Sequence, residues 1–159
     1  MGLSLNWQKI ILGSVFGDTE LRAGSGPDIA PGGSGSLFIG LSTSTPSEVN
    51  GYNFTEPSGN AYARVQISNT TAAGTGSDTQ AWAAPTGTSA GEVSNRIAIQ
   101  FPTANGGQWG TITHFGIFSD STSAITTNLI GWAALSSSKV IGDGDTASFD
   151  VGQLKIAFS

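Results

Sequence analysis

The stretch Trp109-Gly-Thr-Ile-Thr-His-Phe-Gly-Ile-Phe118 decides the fold class of this chain. Branched and aromatic residues alternate in it with small or polar ones, and no Asp, Glu, Lys or Arg interrupts the pattern. A period of two over this length is typical of a β-strand. The polar cluster that follows, Ser119-Asp-Ser-Thr-Ser123, predicts the end of the strand.

The same pattern extends in both directions from this stretch. Towards the C-terminus it predicts a stretch of strand over 128–135 that continues into 136–141, and then a stretch over 147–158. The alternation of the last stretch slips at Gly152, which indicates a bulge or bend. Towards the N-terminus it predicts strands over 36–43, 61–68 and 95–101. These strands favour an all-β fold, an antiparallel β-sandwich of jelly-roll type, because each strand must bury one face.

The first 35 residues have a different character. Ser4 can cap a short helix that runs to about Phe16, and residues 18–35 form an extended glycine-rich arm without periodicity. The predicted organisation is therefore an N-terminal helix and arm over 1–35 and a β-sandwich domain over 36–159. The helix is apolar around most of its circumference, so it packs either on the chain's own sheet or on another subunit. Its main apolar stripe contains Trp7, Ile10 and Ile11.

The composition limits the classes of partner. Charged residues make up 11% of the 159 residues, against about 25% in a typical globular protein. Such a surface is expected to be covered by neighbours in an assembly, as a homo-oligomer would provide. The net charge of −5 and the scattered cations argue against nucleic acid, and no apolar run is long enough to span a membrane. The absence of cysteine suits assembly in a reducing cytoplasm.

Few side chains could support catalysis. His114 is the only histidine, it lies within a predicted strand, and with no cysteine it cannot form a common zinc site. Two carboxylate pairs could in principle hydrolyse glycans, but both lie in turn-like segments where acidic residues are expected to be solvated. We therefore expect no enzymatic activity, no metal and no cofactor. The pairs are Glu48 with Glu56 and Asp143 with Asp145.

Three aromatic residues lie in long polar segments outside the predicted strands. Rings in such places either fold back as plugs or stand exposed at contacts, and both alternatives are open here. Together with the helix stripe they make up the candidate interface, which consists of Trp7, Ile10, Ile11, Tyr52, Phe54 and Trp82.

Several segments resemble a family of small tailed-bacteriophage structural proteins, described either as tail-fibre-like or as head decoration (cement) proteins. None of these segments is a catalytic signature, and together they cover most of the chain after Ser36. They are Leu37-Phe-Ile-Gly-Leu-Ser-Thr-Ser-Thr-Pro46, Glu56-Pro-Ser-Gly-Asn-Ala-Tyr-Ala-Arg-Val65, Ile99-Gln-Phe-Pro-Thr-Ala104 with Trp109 to Phe118, and Leu129-Ile-Gly-Trp-Ala-Ala-Leu135.

The resemblance implies a virion structural protein that is assembled in the host cytoplasm. The first placement is a capsid decoration protein on the outer surface of the phage head, a homotrimer that binds the major capsid protein and ties capsomers together. The alternative is a tail-fibre-associated or receptor-binding module that recognises a host surface glycan. A third hypothesis, a small glycan hydrolase, depends on the carboxylate pairs alone.

Overall fold

The computed structural model describes residues 36–47, 53–68, 92–118, 120–121 and 129–157. The helix and arm predicted over 1–35, and with them Trp7, Ile10 and Ile11, lie outside these residues, as do Tyr52 and Trp82. No helix among the described residues is long and apolar enough to cross a bilayer. The strands are β1 (Ser36–Ser42), β2 (Val65–Ser68), β3 (Glu92–Ser94), β4 (Ile99–Thr103), β5 (Gly110–Phe118), β6 (Leu129–Ile141), β7 (Thr146–Phe149) and β8 (Lys155–Ala157).

The strands form one four-stranded sheet, in the order β2-β1-β5-β6, and two strand pairs, β3-β8 and β4-β7. The pairs β1–β5, β5–β6 and β3–β8 are antiparallel. The prediction of an all-β, antiparallel fold is therefore confirmed.

The chain divides into two compact units. The described residues of the first unit are 68, 92–99 and 149–157, and those of the second unit lie within 36–67 and 100–148. The prediction of one β-sandwich domain over 36–159 stays a prediction. The four-stranded sheet, apart from the last residue of β2, belongs to the second unit.

Strands β1 and β5 form the centre of the sheet, and both were expected from the sequence to within one residue of their observed bounds. Their register runs from Phe38 opposite Phe118 to Ser42 opposite His114. The burial of β5 does not alternate as its sequence pattern does, because every residue from His114 to Phe118 is buried. Both faces of β5 are therefore covered.

Strand β6 corresponds to the stretch predicted over 128–135 and its predicted continuation over 136–141. It runs for 13 residues from Leu129 to Ile141, and no Gly or Pro that would end a strand occurs from residue 133 to residue 141. Its register against β5 slips, since Lys139 lies opposite Ile112 and Ala134 lies opposite His114. Between these two pairs β5 has one residue and β6 has four, so β6 forms an irregularity like a β-bulge there.

Three strand predictions need correction. The strand predicted over 147–158 is two strands, β7 and β8, because Gly152 takes a φ of 76° in the turn between them. The strand over 95–101 starts later and continues through the exposed Pro102, which β4 tolerates because each strand of a two-stranded pair is an edge. The strand over 61–68 begins only at Val65.

The core of the second unit is made of aliphatic and aromatic side chains from β1, β5 and the segments that pack against them. Each of the following is less than about a tenth exposed: Leu37, Ile39, Leu41, Phe54, Ile67, Phe101, Ala104, Trp109, Ile112, Phe115, Ile117, Phe118 and Ile141.

Candidate functional site

One face of the β1–β5 pair is covered by residues 53–64, which we call the covering segment. It begins beside the end of β1, where the Thr55 amide donates to the Ser42 hydroxyl at 3.0 Å and the Thr43 amide donates to the Thr55 carbonyl at 2.9 Å. Ser42 is fully buried. These bonds fix the start of the covering segment against the sheet.

Two glycines make room for the covering segment. Gly40 on β1 and Gly116 on β5 lie directly opposite each other, so they open one shallow depression in the sheet face. A Cβ at Gly116 would lie 2.7 Å from the Phe54 ring. A Cβ at Gly40 would lie 2.7 Å from Glu56 Oε1. Only glycine allows the covering segment to come this close.

Phe54 fills the part of the depression over Gly116. Its side chain is 3% exposed, and its ring meets that of Phe118 edge to face with 5.2 Å between the centroids. Phe54 is the one member of the candidate interface within the described residues, and it occupies the interior as a plug. The interface role of the other five residues stays a prediction.

A charged pair lies in the same depression. Arg64 donates from Nε to Glu56 Oε1 at 2.9 Å and from Nη2 to Glu56 Oε2 at 2.7 Å, which is the two-pronged geometry that a guanidinium and a carboxylate favour. The side chains are 4% and 18% exposed, respectively. Glu56 is therefore not the solvated turn residue that its sequence context predicted.

The rest of the guanidinium is also occupied. Arg64 Nη1 donates to the Asp120 carbonyl at 2.8 Å, and the guanidinium carbon lies 3.6 Å from the centroid of the Phe118 ring. A cation held over an aromatic face in a desolvated site is stabilised by about 2 kcal/mol. Arg64 thus connects the covering segment to β5 and to the turn after it.

Tyr62 completes the network. Its hydroxyl donates to Glu56 Oε1 at 2.8 Å and accepts from the Leu41 amide of β1 at 2.8 Å. Burial raises the pKa of Tyr62 far above its ordinary value, the neighbouring Glu56 carboxylate raises it further, and the hydrogen bond from Leu41 opposes the shift. The raised pKa therefore favours the protonated phenol, which donates to Glu56. We call Glu56, Tyr62 and Arg64 the clamp.

An aromatic cluster supports the ring of Tyr62. Trp109 meets it edge to face with 5.2 Å between centroids, and Phe101 lies nearly parallel to it at 6.4 Å. The Trp109 indole donates to the Asn60 carbonyl at 2.9 Å. The end of the covering segment is thereby tied to the residues just before β5.

The backbone of the covering segment turns through an unusual conformation. Gly59, Asn60 and Ala61 have φ values of 69°, 50° and 63°, and all three lie in the left-handed region. The Tyr62 amide closes this turn by donating to the Gly59 carbonyl at 2.9 Å. A left-handed residue other than glycine costs roughly 1–2 kcal/mol, so the contacts of Asn60 and Tyr62 must hold the turn in place.

Those residues considered for catalysis that the structure describes have partners within the fold. His114 is buried on β5, its Nδ1 lies 2.8 Å from Thr113 Oγ1, and its ring packs on Trp132 with 5.6 Å between centroids. Glu48 lies outside the described residues, and both oxygens of Glu56 are engaged by the clamp. Among the residues that the structure describes, no group of three or more His, Cys, Asp or Glu could hold a metal ion.

The acidic pair after β6 has the turn role that its sequence predicted. Asp143 Oδ1 accepts from the amides of Gly106 and Gly107 at 3.0 and 3.2 Å. Asp145 Oδ2 accepts from the Gly142 amide at 2.8 Å. Both aspartates are exposed, and each holds loop backbone through these hydrogen bonds.

Sequence reasoning missed the clamp. It predicted a strand over 61–68, which contains Tyr62 and Arg64, and placed Glu56 in a solvated turn-like segment. The signal that could have found it is the concentration of a carboxylate, a phenol and a guanidinium within nine residues of a chain that is otherwise poor in charge. What joins them is the glycine depression on two distant strands, which no local pattern reveals.

The comparison with protein families gives one result. The model of the family described as Podophage GP4 fiber I protein gp80 matches residues 29–157 of this chain. The match includes all eight strands and the whole clamp. No curated protein matches the sequence.

Proposed function

Because the chain belongs to the family of podophage GP4 fiber I protein gp80, a family of phage structural proteins, we propose that it is a component of a tail fibre. Membership of that family makes it a virion protein. The fibre placement has the support of the family description, whereas the head-decoration placement, with the major capsid protein as partner, has none from the comparisons.

The observation that supports the proposal is that the segments resembling the phage family pack together in one cluster. Gly40 comes from the first segment, the clamp from the second, and Gly116 and Phe118 from the third. In the folded chain these segments pack against one another. This packing supports the proposal that the protein acts through a fixed shape.

The proposed mechanism is mechanical and not enzymatic. A rigid β-structure, which we propose to be a jelly-roll-like sandwich, holds its loops in fixed positions so that they contact neighbouring subunits or the host. The hydrogen bonds that His114, Glu56 and Asp143 make within the fold support this interpretation, because each of these residues already has a structural partner. Incubation of the purified protein with host polysaccharide should release no new sugar ends.

The proposed partners are further copies of the chain, arranged as a trimer, and a polysaccharide on the host surface. Low charge density supports association with neighbours. The aromatic rings of Tyr52 and Trp82 would stack on sugar rings, as amphipathic rings at contacts do. Binding of the labelled protein to host cells should fall when either is changed to alanine, and a variant of the exposed Val140 to Ala should bind as the unaltered chain does.

Labelling of whole virions tests the placement. Gold particles carrying an antibody against this chain should decorate the fibres in electron micrographs of intact phage. Gold distributed over the head surface would reject the fibre proposal. It would favour the alternative, a head decoration protein with the major capsid protein as its partner.

A further inference from the structure

The two ring nitrogens of His114 differ in what surrounds them. The Thr113 hydroxyl donates to the Ser42 carbonyl at 3.3 Å, so Thr113 Oγ1 accepts the hydrogen of His114 Nδ1 across 2.8 Å. In the neutral ring the second nitrogen, Nε2, then carries no hydrogen and can only accept. It has no hydrogen-bond partner among the residues that the structure describes.

Burial gives this unpaired acceptor its significance. His114 is 8% exposed, and an unpaired acceptor in the interior destabilises a fold. Native proteins therefore provide almost every buried acceptor with a donor, either from the chain itself or from a bound molecule. At Nε2 the donor has to come from outside the described part of the chain.

Trp132 of β6 packs against the same imidazole. The ring centroids are 5.6 Å apart and the ring planes meet at 69°. Trp132 is half-buried, and its indole N–H makes no hydrogen bond to a described residue, whereas that of Trp109 is bonded to the Asn60 carbonyl. We call His114 and Trp132 the ring pair. It offers one acceptor and one donor beside a partly exposed aromatic surface.

The ring pair lies where one face of the sheet opens to solvent. Ser42, His114 and Ala134 lie opposite one another on β1, β5 and β6, so their side chains share a face. Trp132 shares it too, because it is two residues from Ala134 along the strand. Exposure rises across this row, since Ser42 is fully buried, His114 is 8% exposed and Ala134 is exposed. A ligand can therefore approach from the β6 side.

The chemistry of the ring pair indicates a neutral, hydroxylated ligand. A hydroxyl group both donates and accepts, so neighbouring hydroxyls of one sugar ring can serve His114 Nε2 and the indole N–H together. The apolar face of a sugar ring also suits packing on an indole. Ser42, Ala134 and Trp132 carry no charge, so the row supplies no cation for an acidic ligand to pair with.

We propose that the ring pair is a subsite for one neutral sugar ring, whose hydroxyl donates to His114 Nε2 while its apolar face packs on Trp132. The proposal rests on the polysaccharide ligand proposed above and adds a contact point to it. A few polar groups that fix the orientation of a ligand beside an apolar surface are typical of small-molecule sites. A single subsite binds weakly, and repeated sugar units and chain copies strengthen the attachment.

The tautomer of His114 gives the first test, because this residue is the only histidine in the chain. Long-range proton–nitrogen correlation spectra of the full chain distinguish a ring nitrogen that carries hydrogen from one that does not. At mildly alkaline pH we expect hydrogen on Nδ1 and none on Nε2. Hydrogen on Nε2 would overturn the proposal, because that nitrogen could then accept no hydroxyl.

Titration with single sugars gives the second test. Glucose, galactose and N-acetylglucosamine are each added up to about 100 mM, since contact with one sugar ring gives dissociation constants on the order of millimolar. At least one of the three should shift the signals of His114 Nε2 and of the Trp132 indole together and saturably. If no sugar moves both signals, the proposal is wrong.

Variants of β6 give the third test. Trp132→Ala should weaken sugar binding at least about tenfold, as read from the His114 signal, and Trp132→Phe, which keeps a ring against His114, should weaken it less. Val140→Ala is the control. Val140 lies opposite Thr111, three residues from His114 along β5, and therefore on the other face of the sheet. Equal losses in Trp132→Ala and Val140→Ala would overturn the proposal.

The outcomes separate the subsite from the function on which it rests. If host cells bind the labelled chain while no sugar moves the His114 signal, the subsite is wrong and the polysaccharide ligand stands. If a sugar binds at His114 while the antibody labels the phage head, the subsite stands and only the fibre placement is rejected.

Discussion

At the scale of single residues, the glycine depression makes the first prediction. Gly116→Ala should lower the free energy of unfolding by about 1–3 kcal/mol, because its Cβ would overpack the site. The new atom would lie 2.7 Å from the Phe54 ring and 2.8 Å from Leu129 Cδ1. Urea denaturation measures the loss. The matched control is Gly131→Ala on β6, where a Cβ meets nothing within 4 Å, and an equal loss there would contradict the close packing.

The clamp makes the second prediction. Arg64→Met should cost about 3 kcal/mol, the lower end for a buried pair, since it leaves the half-buried carboxylate of Glu56 without its partner. The double variant Glu56→Met with Arg64→Met should lose less than the sum of the single losses, because the two groups interact directly. Thermal and urea unfolding give the values. Lys139→Met is the control, since Lys139 is exposed. Additive losses in the double variant would mean that the pair does not act as a unit.

Tyr62 makes a prediction about pH. Its pKa is raised in the folded chain, mainly by burial and then by Glu56, whereas in the unfolded chain it titrates near pH 10. The stability it contributes is therefore complete below about pH 10 and is lost as the pH rises through the folded pKa. The chain has only two tyrosines, so Tyr52→Phe leaves Tyr62 as the sole source of tyrosinate absorbance.

In that variant, tyrosinate should form only together with loss of the far-ultraviolet circular dichroism of the fold. Reversible tyrosinate formation near pH 10 in a chain that stays folded would contradict the buried hydrogen bonds to Glu56 and Leu41. Tyr62→Phe serves as the control, and its circular dichroism should change less over the pH range in which the chain that keeps Tyr62 unfolds.

At the scale of elements, the left-handed turn of the covering segment can be tested through Ala61. Its φ of 63° is strained for alanine and worse for a β-branched residue. Ala61→Gly should therefore keep or slightly increase stability, and Ala61→Val should lose roughly 1–2 kcal/mol. Ala63→Val is the control, since Ala63 is equally exposed without a positive φ. A tolerated valine at position 61 would show that the turn relaxes.

The same elements show which features the sequence can predict. β1 and β5 are predicted to within one residue because their alternation is strong and turn residues bound them. The segment over 61–68 alternates just as clearly, yet only Val65–Ser68 is strand, because Tyr62 and Arg64 are drawn into the clamp. The segment over 147–158 also alternates, and a left-handed Gly152 divides it. Local patterns give strands but not the long-range contacts that shorten them.

At the scale of the whole molecule, the candidate site shows the same limit. Sequence reasoning identifies aromatic residues in polar segments but cannot tell a plug from a contact, and Phe54 proves to be a plug. The clamp packs over Gly40 of β1 and over Phe118 of β5, two strands far apart in the chain, so its members look unrelated until the sheet forms. The assignment to phage structural proteins, in contrast, can be predicted from the segments that resemble the family, because these segments specify how the chain packs.

The central claim is that this chain is a component of a phage tail fibre and acts through a fixed shape. Fractionation of purified virions tests it most directly: fibres are detached by shear, heads and fibres are separated by density, and peptides of this chain are counted in each fraction by mass spectrometry. We predict that the peptides follow the fibre fraction. Peptides that remain with the heads in proportion to the major capsid protein would contradict the claim.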